Sequence, residues 1–192
     1  MEKQKQILIR KNDYWLSEIG FLFFKYQVGY EVYDYSKDSK FVKKGIDLIV
    51  LNKQNIPTYI LCCGNDYPFD KLFLPIVEED KESRLLSSES DFAFFYDINK
   101  KSVCLIDLPL LQEKINYNFT KGAWKDYTLA DKGTLKGIQV DKDDEVIKEA
   151  LTEYTLHSDI FDKAVKIFDH RVDDMPLTQR TKHLPLSRAG AY

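Results

Sequence analysis

At 192 residues and 22.5 kDa the chain suits one domain, or one domain with a helical appendage, and hydrophobic residues at 44% supply enough apolar surface for a core. A formal net charge of −3 and a pI near 5.7 exclude the simplest electrostatic route to nucleic acid, a strongly basic domain, so any such contact falls to a local patch. No apolar run approaches the roughly 20 residues that span a bilayer, and the N-terminal residues lack the apolar stretch of a signal peptide, so the expectation is a cytoplasmic protein with no membrane partner.

From Asp13 to Tyr26, apolar residues at Trp15, Leu16, Ile19, Leu22, Phe23 and Tyr26 follow the three-and-four spacing of a helix packed on a core, with Asp13 as N-cap and Glu18 as the one acid in its interior. "VGYEVYDYS" alternates as a half-exposed strand does. "GIDLIVLN" and "TYILCCG" are near-continuous apolar runs separated by the turn-forming "KQNIP", which predicts two adjacent strands covered on both faces. In "FDKLFLPIVEEDKESRLLSS", helix is expected on either side of Pro75, because proline removes an interior helical hydrogen bond. "DFAFFYD" and "SVCLIDL" predict a hairpin, and "PLLQEKI" a short helix with proline in its first turn.

Residues 117–143 are rich in Gly, Lys, Asp and aromatics and are expected to form an irregular excursion. "DDEVIKEALTEYTL" and "SDIFDKAVKIFDHR" both carry helical periodicity, the second with Ser158 as N-cap, so residues 144–171 read as a helical extension. Residues 172–192 read as a flexible tail. The expected fold is α/β, a mixed four- to five-stranded sheet flanked by helices in a core spanning residues 1–116, with a C-terminal helical extension.

Two basic clusters stand out, Lys37, Lys40, Lys43 and Lys44 before the strand pair and Arg180, Lys182, His183 and Arg188 in the tail; solvated surface is the ordinary role of such clusters and phosphate contact the alternative. Cys62, Cys63 and Cys104 sit in strand-like runs and read as free core thiols; neighbours on a strand point to opposite faces, so Cys62 and Cys63 make a poor joint zinc clamp. His157, His170 and His183 lack metal-site spacing, and the chain has neither a Gly-rich phosphate loop nor a G-x-S-x-G elbow.

The helix with internal Glu18, the strand with internal Asp47, the adjacent strand after a short turn, the crossover and the following hairpin together resemble the PD-(D/E)XK, or restriction-endonuclease-like, nuclease superfamily over roughly residues 13–115. The resemblance implies a nuclease-like protein acting on nucleic acid, DNA before RNA. Phosphodiester hydrolysis of this kind uses Mg2+ held by carboxylates to activate a water, and a lysine beside it to orient that water or stabilise developing charge. In the family an Asp on one strand meets a Glu-x-Lys pair on the next, alternate strand positions sharing a face. Here Asp47 matches the strand acid, while the Glu and Lys positions correspond to Leu61 and Cys63. Three explanations compete for the missing pair, one of them that the match is false. The fold survives as a binding module, or the groups have migrated, with Asp47, Glu18 and Asp66 as metal ligands and Asp47 and Lys71 as the catalytic residues. Each has an ordinary structural role beside it: Glu18 as a solvated helix residue, Asp66 as a turn former, Asp47 as a turn acceptor. From a different class comes a protein-interaction module, a subunit or inhibitor in a larger assembly, presenting its aromatic surface to a protein partner.

Overall fold

The structure is a computed structural model, and it describes residues 16–64, 71–78, 81–97, 101–121, 128–132, 135–145 and 147–173. The first helix, α1, runs over residues 16–22 and widens into a π-helical turn, Phe23–Val28, closed by Gly29 in the left-handed region at φ 80°. It is followed by β1 (Glu31–Asp34), the short helix α2 (Ser39–Val42), β2 (Leu48–Leu51), β3 (Pro57–Gly64), β4 (Lys71–Glu78), β5 (Lys81–Glu82) and the short helix α3 (Arg84–Ser87). Then come β6 (Phe92–Asp97), β7 (Ser102–Asp107), α4 (Leu108–Lys121), β8 (Thr128–Lys132), β9 (Leu135–Asp141), β10 (Leu151–Thr155) and α5 (Ser158–Asp173).

The main sheet has six strands in the order β1-β2-β3-β6-β7-β10, and a second sheet has four in the order β5-β4-β9-β8. In the main sheet β3 and β6 run parallel while every other neighbouring pair is antiparallel, so the sheet is mixed, as expected, with one or two strands more than the sequence suggested. The hairpins β2–β3 and β6–β7 form where the apolar runs placed them. The first is turned by Asn52, whose Oδ1 accepts from the backbone N–H of Gln54 and Ile56, and by Asn55 at φ 58°.

Alternation along the central strands divides the core into two layers. Ile60, Cys62, Phe94, Tyr96 and Val103 face α1 and α5, where Leu16, Ile19, Phe23, Ile160 and Ala164 pack on them. Leu61, Ala93, Phe95, Cys104 and Ile106 face the other way, against α4 and the second sheet through Leu108, Leu111, Ile115, Leu72, Leu74 and Ile138. Both faces of the sheet are therefore covered, which explains the unbroken hydrophobicity of the middle strands. Gly20 brings α1 close: a Cβ there would lie 2.9 Å from Leu48 Cδ1 and 3.2 Å from Cys62 Sγ.

Three expectations are corrected. The segment around Pro75 is strand rather than helix, forming β4 in the second sheet, with only the four-residue α3 helical near its end. Residues 117–143 are not irregular where they are described, since α4 continues to Lys121 and β8 and β9 form an antiparallel pair. The first of the two expected C-terminal helices is a run of turns followed by β10, which pairs with β7 and completes the main sheet, while α5 is helical as expected. Asp13, Trp15, Asp66 and the basic tail cluster lie outside the described residues. Among the described residues no helix is long and apolar enough to cross a membrane.

Candidate functional site

Asp47 stands immediately before β2, at the point where the chain enters the sheet. Its own N–H donates to Ile60 O at 2.9 Å and its carbonyl accepts from Tyr35 N–H at 2.8 Å, so the backbone is pinned to both neighbouring strands. The residue before it, Ile46, is still turned away, its N–H donating to Phe41 O. The ladder register between β2 and β3 ends at Leu48 and Ile60, and beyond it the N–H of Cys62 donates to Asp47 Oδ2 at 2.8 Å. The side chain thus supplies the acceptor that the strand does not offer there.

The second carboxylate oxygen meets a cation. Arg84 Nη2 donates to Asp47 Oδ1 at 2.6 Å, across a side chain 27% exposed on the arginine and 5% exposed on the aspartate. Arginine suits this half-dry position because its guanidinium is weakly hydrated and planar, matching a carboxylate better than a lysine ammonium does. Arg84 is brought there by α3, whose N-cap Ser83 accepts from Leu86 N–H and whose own hydroxyl donates to Pro75 O in β4.

The loop after α3 is clamped to the chain entering Asp47. The hydroxyls of Ser88 and Ser90 both donate to Gly45 O at 2.9 Å, and Glu89 N–H donates to Lys44 O at 2.8 Å. Gly45 has φ 72°, and a Cβ there would lie 2.6 Å from Ser88 Cβ, so both conformation and close approach require glycine.

Leu48 and Val50 belong to the layer under α1, so alternation puts the Asp47 position on the opposite face of the sheet, the face of Leu61 and Cys63. By this register the Asp47 position and the two positions on β3 lie on one side. The chemistry there is not that of a hard-cation site: Leu61 is buried among Leu72, Phe95 and Ile106, Cys63 packs at the margin of that layer, and Oδ1 of the acid faces a guanidinium. The described residues do not fit Mg2+, and among them no group of three or more His, Cys, Asp or Glu side chains is arranged to hold a metal ion.

Of the other residues singled out from the sequence, Glu18 is exposed on α1, the helix that covers the opposite layer. Lys71 lies at the start of β4 in the second sheet, 3.6 Å from Asp141, its cross-strand partner on β9. Neither is brought to Asp47 by a hydrogen bond or ion pair. Asp66 lies outside the described residues. None of the three cysteines is in a disulfide; Cys62 and Cys104 are buried and Cys63 half-buried. Burial first, and then the Asp47 carboxylate, push the Cys62 thiol well above its ordinary range.

Arg84 is the residue that sequence reasoning missed. A signal existed, because it is the single arginine between Arg10 and Arg171 and it directly follows an N-cap serine in "ESRLLSS". What sequence could not show was that β4 and β5 fold back and carry it to β2.

Beside the site, α2 exposes the basic cluster. Lys37, Lys40, Lys43 and Lys44 are all exposed, and Lys44 forms an ion pair with Glu89 at 2.8 Å. A groove of about 420 Å3 opens here, lined by Lys40, Phe41, Lys44, Ile46, Tyr59 and Glu89.

No protein-family model matches the chain, and neither a curated protein nor a solved structure matches it.

Proposed function

We propose that this chain is a restriction-endonuclease-like protein that binds nucleic acid without cleaving it, the strand acid having passed from metal ligand to half of a structural ion pair. The Arg84–Asp47 contact carries the reading. A guanidinium 2.6 Å from Oδ1 occupies the direction from which a divalent cation would be bound, and Leu61 and Cys63 offer no carboxylate and no ammonium in its support. The exposed lysines of the α2 region, three residues and more before the acid in sequence, supply the phosphate-directed charge that the acidic chain lacks as a whole. DNA comes before RNA on the strength of the resemblance alone. Three cysteines outside any disulfide fit the reducing cytoplasm.

The test is a cleavage assay on single- and double-stranded DNA and RNA with Mg2+ or Mn2+, run beside calorimetric titration of the metals and of Asp47→Asn. The expected result is no cleavage above background, no metal heat, and an Asp47→Asn protein that is less stable. Cleavage by the wild-type chain that disappears in a fully stable Asp47→Asn variant overturns the silent-site reading.

A protein-interaction module is the second reading. It is favoured by large exposed aromatics, Tyr26 at 56%, Tyr33 at 42% and Tyr154 at 39%, two of which lie on the edge strands β1 and β10. An edge strand offers unpaired backbone groups to an incoming strand. A complex with a protein that is insensitive to salt and lost on Tyr154→Lys supports this reading over the first.

A further inference from the structure

The groove beside α2 is not used by the Asp47 site, yet it joins three features that rarely coincide on a solvated surface. It has an apolar floor, in Ile46, which is 4% exposed, with Phe41 and Tyr59 along it. It has two ammonium groups, Lys40 and Lys44, against the one carboxylate of Glu89. And its walls are held in place before any ligand arrives.

That preorganisation is visible bond by bond. The Phe41 ring packs against Tyr35, the centroids 4.2 Å apart and the planes tilted by 33°. α2 is capped by Asp38, whose carboxylate accepts from Lys40 N–H at 2.8 Å. The backbone of Tyr59 is anchored by donation to Asp91 Oδ2 at 2.7 Å. Lys44 is held by Glu89, its Nζ 2.8 Å from that carboxylate, and the hydrogen bond raises the ammonium pKa above its ordinary value. At about 420 Å3 the groove lies within the usual range for a small-molecule site, about 300–1,000 Å3.

Aromatic walls beside two lysines match a ligand with a planar ring at one end and an anion at the other. We propose that the groove binds a phosphorylated nucleoside, its base lying against Phe41 and Tyr59 and its phosphate meeting Lys40 and Lys44. Base–aromatic stacking beside a basic rim is the ordinary chemistry of sequence-tolerant single-strand binding. The shared unit is a nucleotide, whether free or at the end of a strand. The proposal deepens the nucleic-acid reading by naming the residues that take the ligand, but it stands on the groove alone, so each can fail separately.

The experiment uses the full chain and two probes, a mixture of the four nucleoside 5′-monophosphates in calorimetry and a fluorescein-labelled oligothymidylate in anisotropy. Variants are Lys40→Glu and Tyr59→Leu, with thermal melts to show that each is folded; Lys40 is exposed, so its reversal leaves the core untouched. A binding heat for the monophosphates, weakened at least tenfold by both variants, is the expected result. Loss of oligonucleotide binding in the same variants assigns the groove to a strand end. Monophosphate binding with no oligonucleotide binding retains the groove site and retires the nucleic-acid reading. Oligonucleotide binding that neither variant weakens overturns the groove proposal while leaving the nucleic-acid reading in place. No binding of either probe overturns both, and a protein complex sensitive to Lys40→Glu without nucleotide binding hands the groove to an acidic protein partner instead.

Discussion

A carboxylate withdrawn from water is tolerated only where its oxygens are met by donors or by a cation, and Asp47 has one of each, Cys62 N–H on Oδ2 and Arg84 on Oδ1. Removing one partner strands the other. Breaking a fully buried pair costs about 3–5 kcal/mol; with Arg84 27% exposed, water recovers part of the loss, and about 2–3 kcal/mol is expected for Asp47→Ala or Arg84→Ala. Replacing both, as Asp47→Asn with Arg84→Met, keeps an acceptor for Cys62 N–H and removes both charges, so the double variant should lose less than the sum of its parts. Urea denaturation of the wild type, Asp47→Asn, Arg84→Met and the double variant measures the coupling, and additivity within about 0.5 kcal/mol denies the pair its structural role.

Cys62 gives a residue-scale prediction of a different kind. Its pKa is raised by burial and by Asp47, so the folded chain holds the proton that the unfolded chain releases at lower pH. Above the ordinary thiol value of 9.0 the unfolded state binds fewer protons, and stability falls as pH rises from there toward the folded value. Cys62→Ala should flatten that decline in melts between pH 8 and 10. An unchanged slope would show that another group governs the alkaline limb.

At the scale of elements, what was legible in the sequence depended on whether a pattern had one physical cause. The runs in β2, β3, β6 and β7 are apolar because both sheet faces are covered, and their length of four to eight residues bounded by turns favours strand over buried helix. The run through Ile147, Ala150 and Leu151 had two. It fits a helix face, but β7 would otherwise end the sheet as an open edge, and pairing Leu151–Thr155 with Ile106–Ser102 satisfies that edge. Tertiary context overrode local periodicity. The acid Asp47 was legible as a charge among apolar neighbours, whereas Arg84 was not, since its contact depends on a fold-back of 37 residues.

Pro75 misled for a related reason. A proline is excluded from helix interiors and from regular central strands, but it is tolerated at a bulge. Here the β4–β9 register shifts between Pro75 and Val77, and Gly137 lies opposite the proline. A Cβ on Gly137 would come within 2.2 Å of Leu74 O, a backbone atom that cannot rotate away. Gly137→Ala should therefore cost about 1–3 kcal/mol and lower amide-exchange protection along β4 and β9 before the main sheet. Gly20→Ala is the control, because the atom it meets at 2.9 Å is the movable end of Leu48. Equal losses at both positions would mean that the bulge imposes no special constraint.

For the whole molecule the deciding quantity is charge. A chain with net charge −3 gains nothing from its global field on approaching a polyanion, so any binding must be local, and local binding has a countable salt dependence. Of four exposed lysines one lies in α2 and three flank it, and each phosphate neutralised on a single strand contributes about 0.7 to the slope of log affinity against log salt. The patch therefore supports a slope of at most about 3, and less if Lys44 stays with Glu89. Arg180, Lys182 and Arg188 in the C-terminal segment are the next basic groups in line. Affinity for a labelled oligonucleotide, followed from 50 to 200 mM salt in the full chain and in a chain ending at residue 173, separates the two contributions. A slope near 2–3 that survives truncation and drops by about 0.7 in Lys40→Ala places the contact on α2. A slope that collapses on truncation moves it to the C-terminal segment, and binding with no salt dependence removes phosphate recognition as the basis of function.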